Sequence, residues 1–414
     1  SQQAQIAQEI RQALLGLENP PWRLEGAWAI LLVHAYSMYV YFYLFTRAGL
    51  ARLDHAALEA AHSLGAGRWR TLWRVTLPLL APSLRGAALL TFMTALASFS
   101  APYIFGGGFR VMTTQIVFTR LNGDYGLAMG QTVVLSLLAL AGLGLAREGT
   151  VAVSATSGKG LAPAATPIRS PGLRHAATLG GWALGLLLLL PHATLILLSF
   201  VPVGTWTIET FPPAYTWHNY RTLVTEPERL RPLLNSLWMA GGSTLAALAV
   251  AVLAGVLIVR HRGVGARLIE QLLALPWLVP GTVFAIALAT AFSVHAPWVG
   301  RLVLVGTLWI LPLAYFVRNL PMASRAVLAG FRGLDPALQD AAASLGAGRW
   351  RALLRVTLPL LRPALAAGAT LAFVTALGDF VTSIILYTYD TRPLSLEILA
   401  SLRQGDIGVA AAYG

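Results

Sequence analysis

Apolar runs of about 20 residues recur along this chain, and that is the length a helix needs to cross the hydrocarbon core of a bilayer. Inside that core every backbone N–H and C=O must be paired without water, so such a run folds as an α-helix. Eight segments of this kind are read at about 27–49, 85–106, 127–146, 178–201, 234–260, 269–292, 298–320 and 366–388. Several carry Gly or Pro, as in "LLALPWLVPGTVFAIALATAF", which membrane helices tolerate when neighbours satisfy the freed backbone groups. Only 11% of the residues are charged, against roughly 25% in soluble domains. The expected fold class is an all-α polytopic membrane protein embedded in a lipid bilayer. A net charge of +13 points to nucleic acid in a soluble protein, but in a membrane chain its placement matters more than its sum, and no nucleic-acid partner is expected. With no cysteine, disulfides, iron–sulfur clusters and thiolate metal sites are excluded. The opening "SQQAQIAQEIRQALLGLENPPWRLEG" is polar, contains acids and lacks a small-residue cleavage pattern, so it is not read as a signal peptide.

The loops at 50–84, 147–177, 261–268 and 321–365, with their flanks, hold 19 Lys or Arg against 6 acids. Those on the opposite side hold 8 against 7. The positive-inside rule makes the first set cytoplasmic. Two of these loops repeat one another. "EAAHSLGAGRWRTLWRVTLPLLAPSL" begins at Glu59 and "DAAASLGAGRWRALLRVTLPLLRPAL" at Asp340, with 20 of 26 positions identical and a constant offset of 281. "TFMTALASF" at 91–99 continues the match with "AFVTALGDF" at 372–380, and "GDYGLA" at 123–128 pairs with "GDIGVA" at 405–410. Six spans separate the two copies. An even number restores the orientation, so the chain is a parallel duplication.

The expected organisation is a first unit at 1–146, a cytoplasmic linker at 147–177 rich in Gly, Ser, Ala and Pro, and a second unit at 178–414. The second copy has four spans before its loop where the first has one, and the first has two after it where the second has one. Two complete six-helix units would hold 12 spans. The expectation is that about three N-terminal spans and one C-terminal span are absent from the sequence, by truncation or poor ordering.

Each repeated loop reads as a bent pair of short helices. Asp335 is a good N-cap followed by Pro336, and Asp54 stands at the equivalent place. The first helix is expected to end in a left-handed turn at Gly65 or Gly346, with Gly67 or Gly348 two residues on. "RWRTLWRVTLP" and "RWRALLRVTLP" are expected to form a second helix that ends or kinks near Pro78 or Pro359. Arginines with interfacial tryptophans serve topology and headgroup contact in any membrane protein. Topology alone, however, requires neither a repeated Gly spacing nor a repeated Leu-Pro ending, so two matched hooks suggest two equivalent docking sites.

These residues resemble the EAA signature of bacterial ABC-importer permeases: Glu-Ala-Ala, three residues, Gly, nine residues, a branched apolar residue, any residue, Leu-Pro. In the first copy the pattern falls on Glu59, Ala60, Ala61, Gly65, Val75, Leu77 and Pro78, and in the second on Asp340, Ala341, Ala342, Gly346, Val356, Leu358 and Pro359. Asp340 in place of Glu, and Val in place of the usual Ile, are mild departures. Two such units in one chain are similar to the permeases of the iron(III), thiamine and phosphonate importers. The resemblance implies a multi-pass protein of the bacterial inner membrane and a transport subunit, not an enzyme. It also implies two copies of a cytoplasmic ATPase docked on Glu59–Gly67 and Asp340–Gly348 with Arg68 and Arg349 adjacent, and a periplasmic solute-binding protein. No GxxxxGK[ST] occurs, so this chain is expected to bind no cofactor, with ATP and Mg held by the partner ATPase. Iron(III) is the first expectation for the solute, with thiamine, a phosphonate or a polyamine as alternatives.

Asp379 is an acid placed well inside a span, where a charge is costly and usually faces a cavity or a partner. Ser98 holds the equivalent position in the first copy. With Thr375, Tyr39 and Tyr43, these residues are candidates for a translocation path. Pairing of Asp379 with an arginine, and plain helix packing by the tyrosines, are the structural alternatives. The histidines are scattered, with no HxxxH spacing, and no bound metal is expected. An ion-coupled secondary transporter would require several buried ionisable groups and gives no reason for the hooks. A membrane enzyme would require a polar constellation at one depth, and none is read.

Overall fold

The computed structural model describes residues 24–51, 53–155, 170–205, 212–260, 263–293 and 302–414, and these contain helices and no strand. The chain divides into two compact units, one covering residues 19–194 and the other running from 195 to 414. Residues 156–169 of the expected linker lie outside the described residues.

The first unit contains α1 (Ala27–Leu50), α2 (His55–Ser63), α3 (Arg68–Leu96), α4 (Ser100–Phe105), α5 (Met112–Leu121) and α6 (Tyr125–Ala155). Helix α7 (Pro171–Ser199) begins in this unit and ends in the next. The second unit continues with α8 (His218–Thr225), α9 (Pro227–Arg260), α10 (Val264–Leu278), α11 (Gly281–Ala291) and α12 (Ile310–Arg332). It closes with α13 (Pro336–Ser344), α14 (Arg349–Leu360), α15 (Arg362–Leu377), α16 (Val381–Leu386), α17 (Leu394–Gln404) and α18 (Ile407–Tyr413). Helices α1 to α6 and α12 to α18 therefore follow the same order of elements, with the bent pair α14–α15 standing where α3 is one helix.

Among the described residues five helices are long and apolar enough to cross a membrane: α1, α3, α6, α7 and α9. The bent pairs α10–α11, at 104°, and α14–α15, at 70°, raise the number to seven if each counts as one span. The eighth expected span, 298–320, is not matched. Residues 298–301 lie outside the described residues, and the helix that follows, α12, carries Arg318, Arg325 and Arg332. Two other expected spans are cut. The one at 85–106 is the end of α3, a break at residues 97–99, and α4, and the one at 366–388 is α15, a break at 378–380, and α16.

The kink expected at Pro78 and Pro359 takes an unexpected form. Proline has no N–H, and its ring clashes with the carbonyl four residues back, so an α-helix cannot pass through it undisturbed. Here the turns just before, Leu72–Thr76 and Leu353–Thr357, are π-helical. The wider turn absorbs the misfit, and the chain runs straight on to Leu96 in the first copy. In the second copy the bend comes three residues after Leu358, at Leu361.

The second unit is centred on α9, α12 and α15, which meet through Ala247, Ala251, Ala323, Val327 and Ala372, all fully buried. Small side chains let membrane helices approach closely, and dispersion contacts then hold them. Gly255 of α9 shows how close: a Cβ there would sit 2.4 Å from the Phe331 ring of α12.

Candidate functional site

The two hooks have the same backbone. Asp54 caps α2 by accepting from Ala56 N at 3.0 Å, and Asp335 caps α13 by accepting from Ala337 N at 2.9 Å. Both helices are nine residues long. Both then turn left-handed at Gly65 and Gly346, each at φ +75°. Ala66 N donates to Ala61 O, and Ala347 N to Ala342 O, at 3.0 Å in each case, so the orphan carbonyls of the helix end are satisfied in the same way. Gly67 and Gly348, at ψ 160°, start the next helices.

Exposure repeats as well. Leu64 at the turn is 87% exposed and Leu345 88%, while Trp69 and Trp350 are both 71% exposed. Ala61 and Ala342 face inward, and Ala60, Ala341, Glu59, Arg68 and Arg349 face outward. The side chain of Asp340 lies outside the described residues. Each hook thus presents a leucine and a tryptophan to its surroundings, flanked by arginines, on a turn that only glycine adopts without strain.

The candidate path residues fall into three groups. Ser98 and Asp379 occupy equivalent helix breaks, one in each unit, but are held differently. Ser98 Oγ is hydrogen-bonded to His34 Nε2 at 2.9 Å. Asp379 is not inside a helix, contrary to expectation, but in the break at 378–380, where its carboxylate caps α16. Its Oδ1 accepts from Thr382 N at 2.8 Å, and its Oδ2 accepts from Thr382 Oγ1 at 2.9 Å. Arg318 of α12 places Nε 3.3 Å from Oδ2. The side chains are 8% exposed for Asp379 and 27% for Arg318, so this pair is largely withdrawn from water and costly to break. Ser383 donates to the Asp379 carbonyl and also hydrogen-bonds Tyr315. Thr375 is exposed and turns its hydroxyl back to Leu371 O at 2.6 Å. Tyr39 and Tyr43 are exposed on α1, while Tyr36 donates to Leu188 O.

Sequence reasoning missed Arg318, yet a signal existed. Arg318, Arg325 and Arg332 are spaced by seven along one helix, which puts them on one face. It also missed a polar cleft of about 260 Å³ in the second unit. Glu226, Arg229, Arg231, Asn235, Arg392 and Glu397 are among its lining, tied together by the Arg229–Asp406 and Arg392–Glu397 ion pairs.

The class of protein follows from comparison with known proteins. The chain belongs to the family described as "Binding-protein-dependent transport system inner membrane component", whose pattern matches residues 20–155 and 247–413. It is 32% identical over 396 residues to a probable ABC transporter permease protein, y4fN, of Sinorhizobium fredii, covering 93% of this chain and 68% of that one. It is 29% identical over 377 residues to the ferric transport system permease protein FbpB of Actinobacillus pleuropneumoniae, covering 88% of this chain and 53% of that protein. It is also 29% identical over 205 residues to the sulfate transport system permease protein CysT of Escherichia coli, covering 48% of this chain and 74% of that one. The chain therefore spans only about half the length of its ferric relative. It is a multi-pass inner-membrane permease, a transport component rather than an enzyme.

Proposed function

We propose that this permease carries iron(III), handed over by a periplasmic binding protein, and that two cytoplasmic ATPase subunits drive it by gripping the hooks at 54–67 and 335–348. The observation that carries the docking reading is the identity of the hooks in backbone and exposure. A soluble ATPase working as a pair needs two equivalent handles, and an exposed leucine beside an arginine-flanked tryptophan suits an apolar cleft with an acidic rim. ATP and Mg would belong to the ATPase. The ferric relatives support the solute. The polar cleft at Glu226 to Glu397, on the side read as periplasmic, suits contact with the binding protein through charged side chains.

Sulfate is the second reading, because a sulfate permease is related over nearly half of this chain. Uptake of radiolabelled iron(III) and of radiolabelled sulfate into cells expressing the chain with its neighbouring ATPase separates the two. Iron uptake that requires the chain is the expected result, and sulfate uptake in its place overturns the solute.

A further inference from the structure

In the second unit, α12 runs straight into the hook. Arg332 is its last residue, and Asp335, three positions on, caps α13. Three arginines at seven-residue spacing lie along this helix, roughly 10 Å apart per step, and each touches the bent pair α10–α11 or the break that follows α15. Arg332 Nη2 bonds both carboxylate oxygens of Glu270 in α10, at 2.8 and 2.9 Å. The Arg325 guanidinium sits 4.8 Å from the centre of the Trp277 ring, near the end of α10. Arg318 lies against the first residue of α11, where a Cβ on Gly281 would sit 2.7 Å from Nη1. Its Nε reaches Asp379 in the break between α15 and α16. The bend at Val279 and Pro280 thus falls between the second and third contacts.

Among its described residues the first unit shows no counterpart to this row. By the offset of 281, the equivalent positions are Ser37 and Leu44 on α1 and Ala51 just after its end. None can make a charged contact, and Ser37 hydrogen-bonds to its own helix at Val33 O.

We infer that Arg318, Arg325 and Arg332 are positioning residues that clamp α12 to the bent helix pair, so that movement of the second hook reaches the helix breaks at 279–280 and 378–380, a route with no equivalent among the described residues of the first unit. The inference rests on the reading that ATPases hold the hooks. Cation–π and ion-pair contacts suit this role because they are directional and fix the register of one helix along another. The Glu270–Arg332 pair is about half exposed, and pairs of that kind contribute little to stability. It can therefore be changed without unfolding the chain.

The absence of cysteine allows clean labelling. Spin labels at Leu275→Cys and Leu371→Cys, both exposed positions, report movement across α10 and α15 in the full complex with its ATPase, with and without ATP. The expected result is a clear ATP-dependent population shift in the unsubstituted background. That shift falls about two- to thirtyfold in Glu270→Arg or Arg332→Glu and returns when both substitutions are combined, with the same amount of ATPase co-purifying throughout. An undiminished shift in the single variants, or no recovery in the double, overturns the inference while leaving ATPase docking intact. ATPase lost from the single variants assigns these residues to docking instead and also overturns it. A parent complex without ATPase overturns the docking reading and this inference together.

Discussion

At the hooks the two halves of this permease share their local geometry: the same Asp cap, the same glycine at φ +75° and the same π-helical turn before the proline. Thirty residues further on they part company. The break after α3 is held by a hydrogen bond between His34 and Ser98, and the equivalent break after α15 by an ion pair between Arg318 and Asp379. The pattern fits a division of labour. A surface that meets two identical partners must be the same twice. A path for one asymmetric solute, or a gate with a stiff and a soft side, is free to differ.

The comparison breaks most visibly at the ion pair. Replacing Asp379 by Leu strands a largely buried guanidinium and is expected to cost about 3–5 kcal/mol, seen as a large fall in the thermal unfolding midpoint in detergent. Ser98→Ala, at the equivalent place, should cost only about 1 kcal/mol. Equal losses would mean that the two breaks bear the same load.

Next come the turns. Gly65→Val and Gly346→Val force a β-branched residue into the left-handed region, at about 1–3 kcal/mol each. ATPase retained on a permease column should fall several-fold in either variant and by similar amounts. A strong effect from one and none from the other would show that the hooks are unequal partners despite their shared backbone. The caps give the smallest effect. Asp54→Ala and Asp335→Ala should each cost about 1 kcal/mol of hook stability, read as faster amide exchange within residues 55–63 or 336–344, with little change in ATPase retention.

Much of this was legible in the sequence, and the reasons differ by region. The hooks could be read almost residue by residue because caps and left-handed glycines are local devices, and the duplication supplied an internal control. The duplicated order of elements followed from the same offset. The breaks were not legible. Gly378, Asp379 and Phe380 sit in an apolar stretch whose composition looks continuous, and only the partners of Asp379, Arg318 from another helix and Thr382 three residues on, reveal the interruption. The π-helical turns were hidden for a related reason: proline announces a misfit but not how the backbone resolves it. Helix α12 straddles the expected span at 298–320 and the expected loop at 321–365, so its three arginines, one on the first side and two on the second, do not show as a row in a span-by-span reading. Asp379 stands out in the sequence as an acid in an apolar stretch, but its partner lies 61 positions away in sequence.

The central claim is that each hook holds one ATPase subunit. Native mass spectrometry of the complex, purified from the parent, from each glycine variant and from the double variant, counts the subunits directly. The account predicts two ATPase chains per permease in the parent, predominantly one in Gly65→Val or Gly346→Val, and none in the double variant. A parent carrying two that keeps both when both turns are broken would contradict it.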